Sequence, residues 1–257
     1  MTEFIRLLQN ENMKLFNRTS MIFLLGLLPF GTLVLGLFHK FVSVHSAYKP
    51  SMWDFMTEAV HLLFVVKLIT IVVASRSLAE EFRFGTIKLL LIRPVSRTRL
   101  LAAKYVHVLL LILFCLLFLV VLSMLFGAVF FTVGSPDDRV LEALDTTWSV
   151  YGLSALETFI LATLSFMLSC VTRSGSMAMF IVLVVMVMGP ISVELMKLLG
   201  LEFLKYLFFA HLDLKPYLTD TQMPGMSPAL SGVVLTLHAL LFLGLAWYSF
   251  AKRDVSV

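Results

Sequence analysis

Four ionisable residues stand where the surrounding sequence is strongly apolar: Glu58, His61, Lys67 and Glu157. Charge is costly in hydrocarbon unless it is paired or wetted. Two readings follow. In one, Lys67, Glu157 and His61, with Glu58 three residues before His61 on the same helical face, line a wet translocation path or touch polar parts of a cargo. In the other, they form a buried ion pair or snorkel to the interface and take no part in transport. Nucleotide chemistry is excluded. Gly31 and Gly36 have the glycine spacing of a phosphate-binding loop, but Leu37 and Phe38 stand where Lys and Ser or Thr are required. His107, His211 and His238 lack metal-ligand spacing. Cys115 and Cys170 lie in apolar runs, which reads as a pair of buried thiols. No catalytic residue and no metal site is expected.

The densest polar stretch is 76–104, RSLAEEFRFGTIKLLLIRPVSRTRLLAAK, between two apolar runs. Its cations are Arg76, Arg83, Lys88, Arg93, Arg97, Arg99 and Lys104, and its acids are Glu80 and Glu81 alone. Such an excess marks the cytoplasmic face of a membrane. Local signals divide the stretch. Ser77 is placed to cap a short helix whose Leu78 and Phe82 share one face, and Gly85 ends it. A second short helix is expected from Thr86 to Ile92, stopped by Pro94. Ser96 then caps the helix that carries Arg97, Arg99 and Lys104 back into the bilayer. The result is a helical hairpin with a small exposed helix at its tip, a shape suited to docking.

The residues Glu80, Glu81, Phe82, Arg83, Phe84, Gly85, Thr86, Ile87, Lys88, Leu89 and Leu90, followed by Arg93, Pro94, Val95, Ser96, Arg97 and later Lys104, resemble the loop after the second membrane helix of type-2 permease subunits of bacterial ATP-binding-cassette exporters. Outside this loop the likeness is chiefly one of hydropathy and six-span layout. The resemblance implies a docking surface made by Glu80, Glu81, Arg83, Phe84, Gly85, Thr86, Ile87, Lys88, Leu90, Leu91, Arg93, Pro94 and Arg97. Phe84, Ile87, Leu90 and Leu91 would be apolar knobs for a cleft in an ATPase, with Arg83, Lys88, Arg93 and Arg97 facing acids at its rim. Glu80 and Glu81 could instead hold the hairpin together through Arg83, Arg97 or Arg99. ATP and magnesium would then sit on the partner, expected in two copies, and a second permease chain, identical or related, would complete the path.

Composition sets the class. The chain has 257 residues, of which 60% are apolar and 14% charged, far from the balance of a soluble domain. Its net charge of +4 alternates between loops and forms no single patch, which argues against reading it as a sign of nucleic acid or anionic lipid binding. A bilayer core of about 30 Å takes roughly 20 apolar residues as helix. Runs at 21–38, 55–75, 105–131, 150–171, 177–195 and 230–250 meet that need. With both ends inside, the inner segments hold 13 Lys and Arg against six outside. The outer loop 132–149 is acidic, in agreement.

The expected architecture is therefore an all-α polytopic protein with six transmembrane helices and both termini cytoplasmic, in a bacterial cell membrane in contact with lipid. It forms one transmembrane domain over 1–257. An amphipathic arm, 1–18, lies along the inner surface. An outer segment, 192–229, carries one or two short helices, with Met196, Leu199, Phe203, Tyr206 and Leu207 at helical spacing and an end near Pro216. The terminus is too charged for a signal peptide.

The expected function is a permease subunit of an ATP-driven exporter, itself not an enzyme. A membrane sensor or immunity subunit without transport is the alternative. An intramembrane protease of the prenyl-endopeptidase-like kind is remote: Gly85 occupies the position where a Glu-Glu-x-x-x-Arg motif needs its Arg, and Arg83 comes two residues early.

Overall fold

The computed structural model describes residues 2–45, 49–86, 96–134, 138–200, 207–219, 221 and 225–251. The described residues are overwhelmingly helical. In chain order they form α1 (Thr2–Phe16), α2 (Thr19–His45) and α3 (Met52–Glu58), then a 3-10 turn, Ala59–Leu62, leads into α4 (Leu63–Arg76). α5 (Ala79–Arg83), α6 (Arg97–Phe130), α7 (Asp138–Thr172), α8 (Gly175–Leu198) and α9 (Pro228–Ala251) follow. Six helical segments are long and apolar enough to cross a membrane: α2, the composite Met52–Arg83, α6, α7, Gly175–Leu195 and α9. This is a multi-pass membrane protein.

Two spans run well beyond the runs expected from hydropathy. α6 begins at Arg97 and not near Tyr105, because Ser96 Oγ accepts the amide of Arg99 at 3.4 Å and nothing between them and the apolar run breaks a helix. Its 34 residues reach about 50 Å at the α-helical rise, more than a bilayer core needs. α7 begins at Asp138, so most of the expected loop 132–149 is helix. Asp138 in the first turn complements the helix dipole there. α3 starts on a capping box, with Asp54 N donating to Ser51 Oγ at 3.3 Å and Ser51 N to Asp54 Oδ2 at 2.8 Å.

The composite second span and α7 form the centre of the bundle, each with 61% of its apolar window buried against 22% for α2 and α8. Helices in lipid associate through packing and interhelical hydrogen bonds, since lipid tails are as apolar as leucine. Both are present. Ile71, Ala74, Leu78, Leu161, Phe166, Val182 and Phe242 belong to one buried cluster. A second joins Leu28, Leu63, Val66, Leu111 and Leu119. Gly127 lets α6 approach α3: a Cβ there would meet Met52 Cγ at 2.9 Å and Met52 O at 3.2 Å. Ser165 Oγ donates to Ile71 O at 3.0 Å, and Tyr105 and Thr163 hydroxyls are 2.8 Å apart.

On the side opposite the 76–97 turn, α8 continues to Leu198, so Met196 belongs to the fifth span; Phe203 and Tyr206 lie outside the described residues. The segment beyond it holds two 3-10 turns, Phe208–His211 and Lys215–Leu218. Pro216 sits inside the second turn and does not end a helix, because its fixed φ suits the start of a turn. His211 Nδ1 and Tyr217 OH both reach Ser231 Oγ, at 2.7 and 2.6 Å, and fasten this segment to α9.

Candidate functional site

The site is the base of the hairpin, where α1, the end of the second span and the start of α6 meet. Lys104 lies on the α6 face that also carries Leu100, His107 and Leu111, all buried. Its side chain is 1% exposed, so its ammonium must find partners inside the protein. It has three: Glu11 Oε2 at 2.9 Å, Glu81 Oε1 at 3.0 Å and the Ser77 carbonyl at 3.0 Å. These match the three N–H donors of an ammonium. Lys14 closes the ring, donating to Glu11 Oε1 at 3.0 Å and Glu81 Oε1 at 2.8 Å. Two lysines and two glutamates thus neutralise each other across three elements.

The arm α1 is brought there by its own sequence. Glu11 and Lys14 are three apart and share a face, while Phe16 packs edge-on against Phe114 of α6 at 6.5 Å. Arg18, just beyond the arm, pairs with Glu80. Burial works against the charged form of Glu11, but Lys104 and Lys14 outweigh it and hold the carboxyl below its ordinary value. For Lys14 burial again opposes, and Glu81 and Glu11 more than offset it, so its ammonium titrates above the usual lysine range.

The turn from α4 into α5 is held from the fourth span. Ser77 does not cap α5. It is the C-cap of α4, and the buried amides of Leu78 and Ala79 donate instead to Ser169 Oγ at 3.3 and 3.0 Å. α5 ends as its glycine requires, with Gly85 at φ +67°. Thr86 Oγ1 donates to Glu81 Oε2. The carboxylates of Glu80 and Glu81 engage Arg18, Lys14 and Lys104, in place of the expected Arg83, Arg97 or Arg99. The reason is tertiary: docking of the arm brings its cations closer than the loop's own. Arg83 stacks on the Phe84 ring at 4.6 Å, and Arg97 donates to the Ala251 carbonyl at 3.4 Å.

Of the expected docking residues, Glu81 is buried in the cluster and Glu80 is partly covered, whereas Arg83, Phe84 and Gly85 are exposed, Phe84 to 61%. Thr86 is half-buried and Arg97 lies at the start of α6. Ile87, Lys88, Leu90, Leu91, Arg93 and Pro94 lie outside the described residues, as does the expected second short helix.

The four membrane residues fall into two pairs. Lys67 and Glu157 bond to each other across the second and fourth spans, both largely buried. Glu58 and His61 face each other at 3.7 Å with exposed side chains. They do not converge with Lys67. Reasoning from sequence missed Glu11, Lys14, Arg18 and Ser169. The first two carried a signal, an acid and a base at helical spacing, matched by a lone lysine on a buried face of α6.

The comparisons bear on the whole chain. A family model described as a protein of unknown function, DUF2705, matches residues 16–256. The Bacillus subtilis (strain 168) protein named Uncharacterized protein YhcI is 35% identical over 222 residues, covering 80% of this chain and 70% of its own length. Uncharacterized membrane protein YdbK of the same organism is 30% identical over 248 residues, covering 95% of this chain and 100% of its own length. These findings correct the expectation, drawn from the loop, of membership in the type-2 permease family. The likeness to the permeases rests on one basic loop, whereas the family match spans nearly every helix.

Proposed function

Because the chain belongs to the DUF2705 family of proteins of unknown function, whose description assigns no activity, we propose a function from its own residues: it is the membrane-embedded subunit of an ATP-driven exporter, powered by a separate ATP-hydrolysing chain that grips the 76–104 hairpin. The observation that carries this reading is the ring of buried Lys104 and Glu81 with half-buried Glu11 and Lys14. A loop that only fills space between spans needs no such anchor. A loop that transmits force does, because displacement of its tip must reach the helices below.

The hairpin is built accordingly. Its descending limb is α6 itself, unbroken from Arg97 through the membrane, and its ascending limb is clamped by Ser169. Exposed Arg83 and Phe84 offer a cation and an apolar knob at its end. ATP and magnesium act on the partner, whose closure tilts the second and third spans together as a lever. The excess of Lys and Arg on one set of segments supports a cytoplasmic position for the hairpin and both ends, with the bundle in a bacterial plasma membrane. Two such bundles with two ATPase chains form the exporter, and Lys67 and Glu157 hold the second and fourth spans of each bundle together.

Alanine at Phe84, Ile87, Leu90 and Leu91 tests this. Truncating apolar anchors at a docking centre is expected to cut copurification of an ATPase about tenfold or more, with the protein still inserted in the membrane. Undiminished copurification and transport would overturn it.

A further inference from the structure

The second span is not one uniform helix. Between α3 and α4 it passes through the 3-10 turn Ala59–Leu62, and three residues per turn bring positions three apart into register along one side. Glu58, His61 and Phe64 therefore stand close to one column. All three face outward: the side chains of Glu58 and His61 are 45 and 79% exposed and Phe64 is 52% exposed, while their neighbours Ala59 and Leu63 are buried.

Depth makes this exposure costly. Leu62 packs on α2 at Gly31, where an added Cβ would meet Leu62 Cδ2 at 3.1 Å. Gly31 lies ten residues past Met21 and seven before Phe38, the ends of the apolar run of α2. His61, beside Leu62, is thus about 10 Å inside the edge of the bilayer core that lies away from the hairpin. An acid and a base that face hydrocarbon at that depth need cover. They do not satisfy each other, because His61 Nε2 is 3.7 Å from Glu58 Oε2, longer than a hydrogen bond, and among the described residues neither has another partner.

We infer that this column is the surface through which two copies of the chain join, with Glu58 of each copy reaching His61 of the other beside a two-fold axis along the membrane normal. The charges choose the occupant. Copies in one bilayer share an orientation, so the axis sets each column beside its own image at equal depth. A column with one acid and one base is then complementary to itself: each carboxylate lies between two imidazoles. The step of about 6 Å between levels three residues apart in a 3-10 turn is within reach of these side chains. Phe64, the next level along, packs against its image. Lipid tails would leave both polar groups unbonded, and an unrelated chain would need a matching acid and base at this depth, which a second copy carries by symmetry. The inference rests on the two-bundle part of the exporter reading and adds the surface that joins the bundles.

The test is disulfide crosslinking of the full chain in membranes of the native host, oxidised with copper phenanthroline, with buried Cys115 and Cys170 left in place. F64C keeps both charges and should form a dimer. L240C, exposed on α9, should yield about tenfold less. H61E in the F64C background gathers four carboxylates at the axis and should cut the yield about tenfold, and E58H/H61E, which restores two acids and two bases, should recover it. These positions are exposed, so the changes do not threaten the fold of the single chain. An F64C dimer indifferent to H61E would overturn the pairing. Crosslinking at L240C with none at F64C would overturn the surface and leave the two-bundle reading intact, and F64C disulfides to a different protein would overturn the choice of a second copy. A chain that bleaches in single steps when labelled in liposomes would overturn both the inference and the two-bundle reading. An F64C dimer that responds to the charge changes and copurifies with no ATP-hydrolysing chain would support the inference and count against the exporter alone.

Discussion

Lys104 is the residue on which most depends, because removing it leaves two largely buried carboxylates to share the single, half-exposed ammonium of Lys14. Breaking a buried, hydrogen-bonded ion pair from one side typically costs about 3–5 kcal/mol. Lys104→Met should therefore lower the thermal unfolding midpoint in detergent by a clear margin. The triple change K104M/E81Q/E11Q, which removes the stranded charges as well, should recover part of it. Lys67 and Glu157 obey the same rule: K67M and E157Q should each destabilise, and K67M/E157Q should be closer to wild type than either. Transport lost in that double variant with its fold intact would return these two residues to the cargo path.

The arm should also respond to pH. A carboxyl held below its ordinary value, as Glu11 is, stabilises the docked arm above the ordinary carboxylate range and ceases to as pH falls through the lowered value. An ammonium held above its ordinary value, as Lys14 is, contributes below the ordinary lysine range and ceases to as pH rises through the raised value. Protection of the amides in 2–16, taken against the intrinsic exchange rate at each pH, should accordingly hold across the neutral range and fall at both extremes. Exchange that is fast at neutral pH would show that the arm is not docked.

Close approach of α6 to α3 rests on one missing Cβ. Gly127→Val must displace both Met52 and its backbone, and overpacking of this kind costs about 1–3 kcal/mol. Gly152→Ala, with nothing near its Cβ position, should be silent by the same unfolding measurement. The elements themselves were largely legible in the sequence. Twenty-residue apolar runs can be little else in a membrane chain, and Ser96 and Gly85 mark ends that the backbone obeys. The extension of α7 was not, since hydropathy reports where lipid is and a polar helix continues silently beyond it. Partner choice within the charge cluster was hidden too. Glu80 and Glu81 have Arg83, Arg97 and Arg99 in the same stretch, yet Lys14 of α1 and Arg18 just after it reach them from more than 60 positions away. Ser169 acts on Leu78 from 91 positions away, through packing that no local pattern encodes.

At the scale of the molecule, a central pair of spans is flanked by more exposed ones, with a charge cluster tying α1, α5 and α6 together at one end and a fastened segment on the opposite side. The design suits a body moved from one end. On the proposed function, an ATP-hydrolysing chain moves it through contacts at Phe84. A photoreactive residue in place of Phe84, illuminated in intact cells of the native host, probes that contact directly. The account predicts a crosslink, formed on the cytoplasmic side, to a chain that binds and hydrolyses ATP, and its loss when Ile87, Leu90 and Leu91 are made alanine. Crosslinks to lipid or to this chain alone, or labelling of position 84 from outside the cell, would contradict it.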